Sequence, residues 1–190
     1  MLNKNNMRDN KSIKRMVEEE AQKRQSRMEE YSISMTVNDD SSFLSEFSSN
    51  DTPVISRAVA EFIEDSTPSV RQDEVLTLKI KSDCIDDEEK KIYTSAIKEY
   101  YMERYVVGKK EIKRDYMIAA MLAVVGILVL ALAIFVGYHS TIWSEIIDIV
   151  AWVFVWEAVY IAFLETRKLK QNNRKYIAYL TMKIEYIDIS

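Results

Sequence analysis

One cysteine (Cys84), one histidine (His139), two prolines and three glycines in 190 residues set the first limits. A single cysteine excludes an internal disulfide framework and a cysteine-rich zinc site. A lone histidine argues against His-dependent catalytic triads and most transition-metal sites. The opening stretch, MLNKNNMRDNKSIKRM, has no apolar run of the kind a signal peptide needs. The first long apolar segment must then act as its own insertion signal. There is no Walker loop, Rossmann fingerprint, EF-hand, zinc pattern or nucleophile elbow. The expectation is a protein that is not an enzyme and carries no cofactor and no metal. Positive charge is also short where a nucleic-acid surface would need it. Residues 38–103 hold sixteen Asp/Glu against seven Lys/Arg, which argues against general nucleic-acid binding.

The chain does have two long apolar runs. Tyr116 to Tyr138 carries no formal charge, and its middle reads MIAAMLAVVGILVLALAIFV. About 20 apolar residues at ~1.5 Å each cover the ~30 Å of bilayer hydrocarbon. The second run, Ile142 to Leu164, is as long but includes Glu145, Asp148 and Glu157. Only Gly137, Tyr138, His139, Ser140 and Thr141 lie between them. This predicts a transmembrane hairpin with helices over about 116–137 and 142–164. Mean hydropathy is only −0.18, so the apolar excess is concentrated there, as in a two-pass rather than a polytopic protein. Arg104, Lys109, Lys110, Lys113 and Arg114 precede the hairpin, and Arg167, Lys168, Lys170, Arg174 and Lys175 follow it. The loop has neither Lys nor Arg, so both termini are expected in the cytoplasm. The same basic groups attract anionic lipid at about 1 kcal/mol each.

Outside the membrane, residues 1–30 form a charged arm. Ile13, Val17, Ala21, Arg24 and Met28 would share a thin stripe on a helix, and a solvated arm as well as a coiled-coil or docking helix fits it. Tyr31, Ile33, Met35 and Val37 alternate with Ser32, Ser34 and Thr36 as in a half-buried strand. Phe43, Leu44 and Phe47 suggest a helical turn. Thr52-Pro53 reads as a helix start, with Ile55, Ala58, Val59, Phe62 and Ile63 on its buried face and Ser66-Thr67-Pro68-Ser69 as its end. A second strand near Val75–Ser82 places Leu76, Leu78 and Ile80 on one face. Asp86, Asp87, Glu88 and Glu89 open a long helix that bends, if anywhere, at Gly108. The tail TMKIEYIDI alternates again and is expected to add a strand. The predicted fold is α+β: a cytoplasmic domain over 31–107 of order β-α-α-β-α, a hairpin over 108–165, and a basic helix and strand over 166–190.

A carboxylate in hydrocarbon costs about 2.5–3.5 kcal/mol on insertion scales. At ~100° per residue, Glu145, Asp148, Trp152 and Trp156 share one face of the second helix, and Glu157 lies opposite Asp148. Glu145 and Asp148 stand near the outer interface and Glu157 is deeper. Two readings of Glu157 stand: a carboxylate ring around an oligomer axis, or a protonated side chain hydrogen-bonded to the neighbouring helix or an indole N–H. Trp143 sits at the depth of an aromatic belt, and Trp152 and Trp156 read as packing aromatics. Gly126 has no second small residue at GxxxG spacing.

The segment EIIDIVAWVFVWEAVYIAFLE, the basic RKLKQNNRKY after it and the TMKIEYID tail resemble a widespread group of uncharacterised small bacterial two-pass membrane proteins. The resemblance runs from about Ser32 to Asp188, and its distinctive part is AWVFVWEAVY. Where many of that group have proline soon after the second tryptophan, this chain has Glu157-Ala158. The resemblance implies a short cytoplasmic α+β domain and a helical hairpin, and it transfers no activity. The layout is also similar to membrane effectors of bacterial antiphage systems, which depolarise or permeabilise the membrane. Two functions are expected from these features. One is a homo-oligomeric ion channel of about four or more copies, since two helices cannot enclose a path, gated by a cytosolic protein or small ligand acting on the cytoplasmic domain. The other is a membrane-anchored scaffold that recruits a cytosolic partner.

Overall fold

A computed structural model describes residues 4–25, 30–49, 52–67 and 75–188. The chain divides into two compact units, one of residues 1–105 with 174–190 and one of residues 106–173. Helices α3 (Asp87–Gly137) and α5 (Thr166–Leu180) contribute to both.

In the first unit, β1 (Glu30–Thr36), β2 (Val75–Lys81) and β3 (Lys183–Ile187) form a parallel sheet of order β1-β2-β3. Ile33 pairs with Leu78, and Leu78 with Ile184. Parallel neighbours cannot be joined by a tight turn. The first crossover is α2 (Arg57–Asp65). The second contains all of α3, α4 (Thr141–Tyr160) and α5. The two apolar helices are thus an insertion in a β-α-β crossover, and the expected C-terminal strand returns the chain to the sheet.

Alternation sets the burial in β1, whereas in the central strand β2 Thr77, on the face opposite Leu76 and Leu78, is fully buried as well. Ile33, Leu76, Leu78 and Ile80 are buried, and Ser32, Ser34 and Lys81 are exposed. Ile63 of α2 and Ala96, Ile97 and Tyr101 of α3 are also fully buried. Asp86 caps α3 by accepting from the N–H groups of Glu88 and Glu89, both at 2.8 Å, while Glu89 accepts from the Asp86 N–H at 2.9 Å. This is a reciprocal capping box. Tyr93 stacks on Phe43 with ring centroids 4.4 Å apart and donates to Asp40 at 2.8 Å. Burial, then that carboxylate, raises its phenol pKa. Tyr101 is raised chiefly by burial. Thr67 donates to the Ile63 carbonyl at 2.8 Å and shares a 2.8 Å hydrogen bond with Tyr179 of α5. Tyr186 of β3 donates to the Lys90 carbonyl at 3.0 Å.

Three expectations need correction. Among the described residues, one helix, α2, lies between β1 and β2. The segment around Phe43, Leu44 and Phe47 is a loop held by isolated bridges, Leu44 with Ile55 and Ser49 with Thr52. Phe43 is buried without helical backbone. Second, α2 starts at Arg57, not at Thr52-Pro53, because Ser56 caps it by accepting from the Val59 N–H at 3.4 Å. Thr52 is occupied by its bridge. Third, the buried face of α2 is Val59, Ala60 and Ile63, with Ala58 and Phe62 exposed, while Ile55 is buried as expected but lies before the helix. The N-terminal arm contains a helix, α1 (Lys4–Gln25), with Ile13 buried. Met28, Pro68 and Ser69, and the side chain of Arg24, lie outside the described residues. Helix α3 passes through Gly108 without interruption.

Candidate functional site

The second unit is a pair of antiparallel helices. Each contains a stretch long and apolar enough to cross a membrane, and only 17% of either stretch is buried. A core helix of a water-soluble domain would be mostly covered.

What is covered lies on one seam of small residues. Ala119, Gly126 and Ala133 recur at heptad spacing on α3, and Ala151 and Ala158 do so on α4, all of them buried. A heptad repeat keeps one stripe of each helix against the other. A Cβ on Gly126 would stand 3.0 Å from Val155 Cγ2 and 3.5 Å from the Ala151 carbonyl, so the backbones approach closely there. Ser144 donates to the Ala133 carbonyl at 2.8 Å. The next position after Ala158 on this rhythm is Glu165, and Glu165 is exposed. Thr166, one residue later, is fully buried instead, and Asn173 follows a heptad beyond it. The shift comes from a π-helical turn, Ile161–Glu165, in which the Thr166 N–H donates to the Ile161 carbonyl. The Thr166 hydroxyl donates to the same carbonyl at 2.9 Å. A π turn absorbs one extra residue, and so the seam continues past it into α5.

At that end the seam turns polar. Asp115 is 8% exposed, beside Arg114 at 3.5 Å. Asn173 packs on Gly108 so closely that a Cβ there would lie 2.5 Å from its Oδ1, an oxygen with no hydrogen-bond partner among the described residues. Lys170 donates to the Tyr116 hydroxyl at 2.6 Å and lies 5.0 Å over its ring. The sequence signal for Thr166 and Asn173, a seven-residue rhythm that skips once, is readable only when the seam is known.

Of the singled-out acids, Glu145 and Glu157 lie away from the seam, and Asp148 lies at its edge, three residues before Ala151. Glu145 and Glu157 are exposed and Asp148 is half-buried. None of the three has a hydrogen-bond or ion-pair partner among the described residues. Trp152 and Trp156 are 51% and 67% exposed, so within one protomer they do not fill the seam. Glu157 stands about four residues, or ~6 Å, from the middle of the second apolar run. The outward face of α3 is Met117, Met121, Val124, Leu128, Leu132 and Phe135, all exposed and all apolar. The basic residues Lys109, Lys110, Lys113, Arg114, Arg167, Lys168 and Lys170 are exposed beyond the apolar stretches. Arg104 belongs to the first unit, where it donates to the Tyr100 hydroxyl at 2.7 Å and stacks on that ring.

Among the described residues no group of three His, Cys, Asp or Glu side chains could hold a metal ion. The first unit has a groove of about 330 Å³ at the end of β1, bordered by Met35, Val37, Phe43, Val59 and Phe62. Compared with known protein families, curated proteins and solved structures, the chain finds no match.

Proposed function

We propose that the chain forms a homo-oligomeric ion channel in a bacterial inner membrane, gated through its sheet-containing unit. The observation that carries this reading is the placement of Glu157: exposed, unpartnered and within the apolar stretch. Facing lipid, a carboxylate there costs about 2.5–3.5 kcal/mol on insertion scales. Facing an aqueous path or a neighbouring copy, it is solvated or hydrogen-bonded. The two helices differ in a way that supports this. The outward face of α3 is uniformly apolar and suits lipid, while α4 carries all three acids. Helix α4 then lines the assembly, and α3 surrounds it. Lysine and arginine flank the hairpin at both ends and are missing from its loop, which supports a topology with both termini in the cytoplasm. The groove beside β1 is the place for a gating ligand or protein segment.

Purified protein in liposomes should conduct ions, and Glu157→Leu should change that flux. If parent and variant conduct identically, Glu157 neither lines the ion path nor holds together the copies around it. If the parent conducts under no condition tried, the channel reading fails. One observation favours the scaffold reading instead: Phe47 is 88% exposed on the loop of the first unit. A scaffold would lose partner recruitment with Phe47→Ser and keep it with Glu157→Leu. A channel acting as an antiphage effector would depolarise the membrane and lose that with Glu157→Leu.

A further inference from the structure

We infer that α4 of one copy packs beside α4 of the next in a head-to-tail contact, with the Glu157 carboxyl of one accepting from the Trp156 indole N–H of its neighbour. The inference deepens the oligomeric reading above and rests on it.

The seam fixes which way α4 faces within a protomer. Ser144, Ala151 and Ala158 mark the side turned to α3. At ~100° per residue, Trp152 and Trp156 lie about 100–140° from that side in one sense, and Glu157 about 120° in the other. The two groups therefore occupy opposite flanks of α4 and are both exposed. Trp156 and Glu157 are also at the same depth, one residue or ~1.5 Å apart along the axis.

The donors available to Glu157 at that depth are few. No lysine or arginine occurs from Asp115 to Thr166. Ser144 and Thr166 already donate to carbonyls of their own hairpin. Tyr160 is nearly a full turn away along the axis and points opposite the seam. That leaves the indoles. Within one helix, residues one apart do not face each other, so Glu157 cannot use its own Trp156. A second copy placed flank to flank supplies the missing N–H, and it presents its own Glu157 on the far side. A surface that pairs one flank with the opposite flank is heterologous, and repeating it by rotation closes a ring. In that ring Ile149, Val153 and Tyr160 of α4 face the axis.

The test uses single cysteines in a Cys84→Ser background. Val150 lies on the Glu157 flank and Trp152 on the opposite flank, about 3 Å apart in height, and both are exposed. Val150→Cys and Trp152→Cys chains with different tags are co-expressed, oxidised in the membrane and resolved by tag. The mixed dimer should exceed either self-dimer several-fold. Separately, Trp156→Phe should reduce the assembled fraction several-fold by native mass spectrometry, while Glu157→Gln, which keeps an acceptor, should retain it. Self-dimers equal to the mixed dimer would mean a symmetric contact and overturn the inference. So would an intact assembly without the mixed cross-link, or an assembly indifferent to Trp156→Phe; the channel reading would survive each. A monomeric parent overturns both.

Discussion

The tight contact between Gly108 and Asn173 makes a quantitative prediction about α3 and α5. A methyl group on Gly108 would lie 2.5 Å from Asn173 Oδ1 and 3.1 Å from its Cγ, so Gly108→Ala must displace the amide. Asn173 is 8% exposed and its Oδ1 has no partner among the described residues, so little holds the amide but little room receives it. Overpacking of this kind costs about 1–3 kcal/mol. Alanine recovers about 1 kcal/mol of helix propensity over glycine, for a net loss of up to ~2 kcal/mol. Asn173→Ala alone removes an unsatisfied buried acceptor and should be close to neutral. In the double variant the clash is gone and the propensity gain remains, so it should be about 1 kcal/mol more stable than Asn173→Ala. The two changes should therefore couple by about 1–3 kcal/mol. Thermal unfolding of the full chain in detergent, followed by circular dichroism, reads this as ~2–4 °C per kcal/mol for a chain of this size. Additive changes, or a Gly108→Ala variant that is stabilised by itself, would refute the reasoning.

Other parts of the fold make further predictions. Removing Leu164, an exposed residue of the π turn, should let α4 run into α5 as a regular helix with the seam intact. That deletion should be tolerated, whereas removing Val153 should break the hairpin; retained assembly and melting temperature in both, or neither, would contradict this. Thr67→Val deletes the hydroxyl that links α2 to Tyr179 and should cost about 1–2 kcal/mol; an unchanged denaturation midpoint would show that the link carries no stability. Tyr93, Tyr101, Tyr105, Tyr179 and Tyr186 all have raised pKa values, each with burial as the largest cause. Folding therefore favours the protonated phenols. Their contribution is complete below the unfolded value of about 10 and is lost as pH rises beyond it. Absorbance at 295 nm should show these phenolates appearing together with loss of structure. Titration of all eleven tyrosines near their free value, with the ellipticity unchanged, would be the opposite result.

The parts of this fold that the sequence exposes are those set by local periodicity. The alternation in β1, β2 and β3 and the uncharged run of α3 each follow from side chains within one segment. The parallel order β1-β2-β3 does not, because register depends on partners far away in the chain. Helix α2 shows a conflict between two good local signals. Thr52-Pro53 and Ser56 both suit a helix start, and the bridge between Ser49 and Thr52 decides for Ser56. In the hairpin, the acids were conspicuous because charge is rare in an apolar run. The seam was not, since alanine and glycine among leucines and valines carry no hydropathy signal. The π turn is hidden for the same reason: one extra residue changes the phase of a pattern without changing its composition. Asp115 and Asn173 stand just outside the apolar runs, where polar residues are ordinary, and only packing marks them as buried.

The most direct test of the account is the mass of the intact protein in nanodiscs, by native mass spectrometry. A discrete assembly of about four or more copies is what a path lined by α4 requires. A monomer or a simple dimer at every concentration would leave Glu157 facing lipid and would contradict the channel.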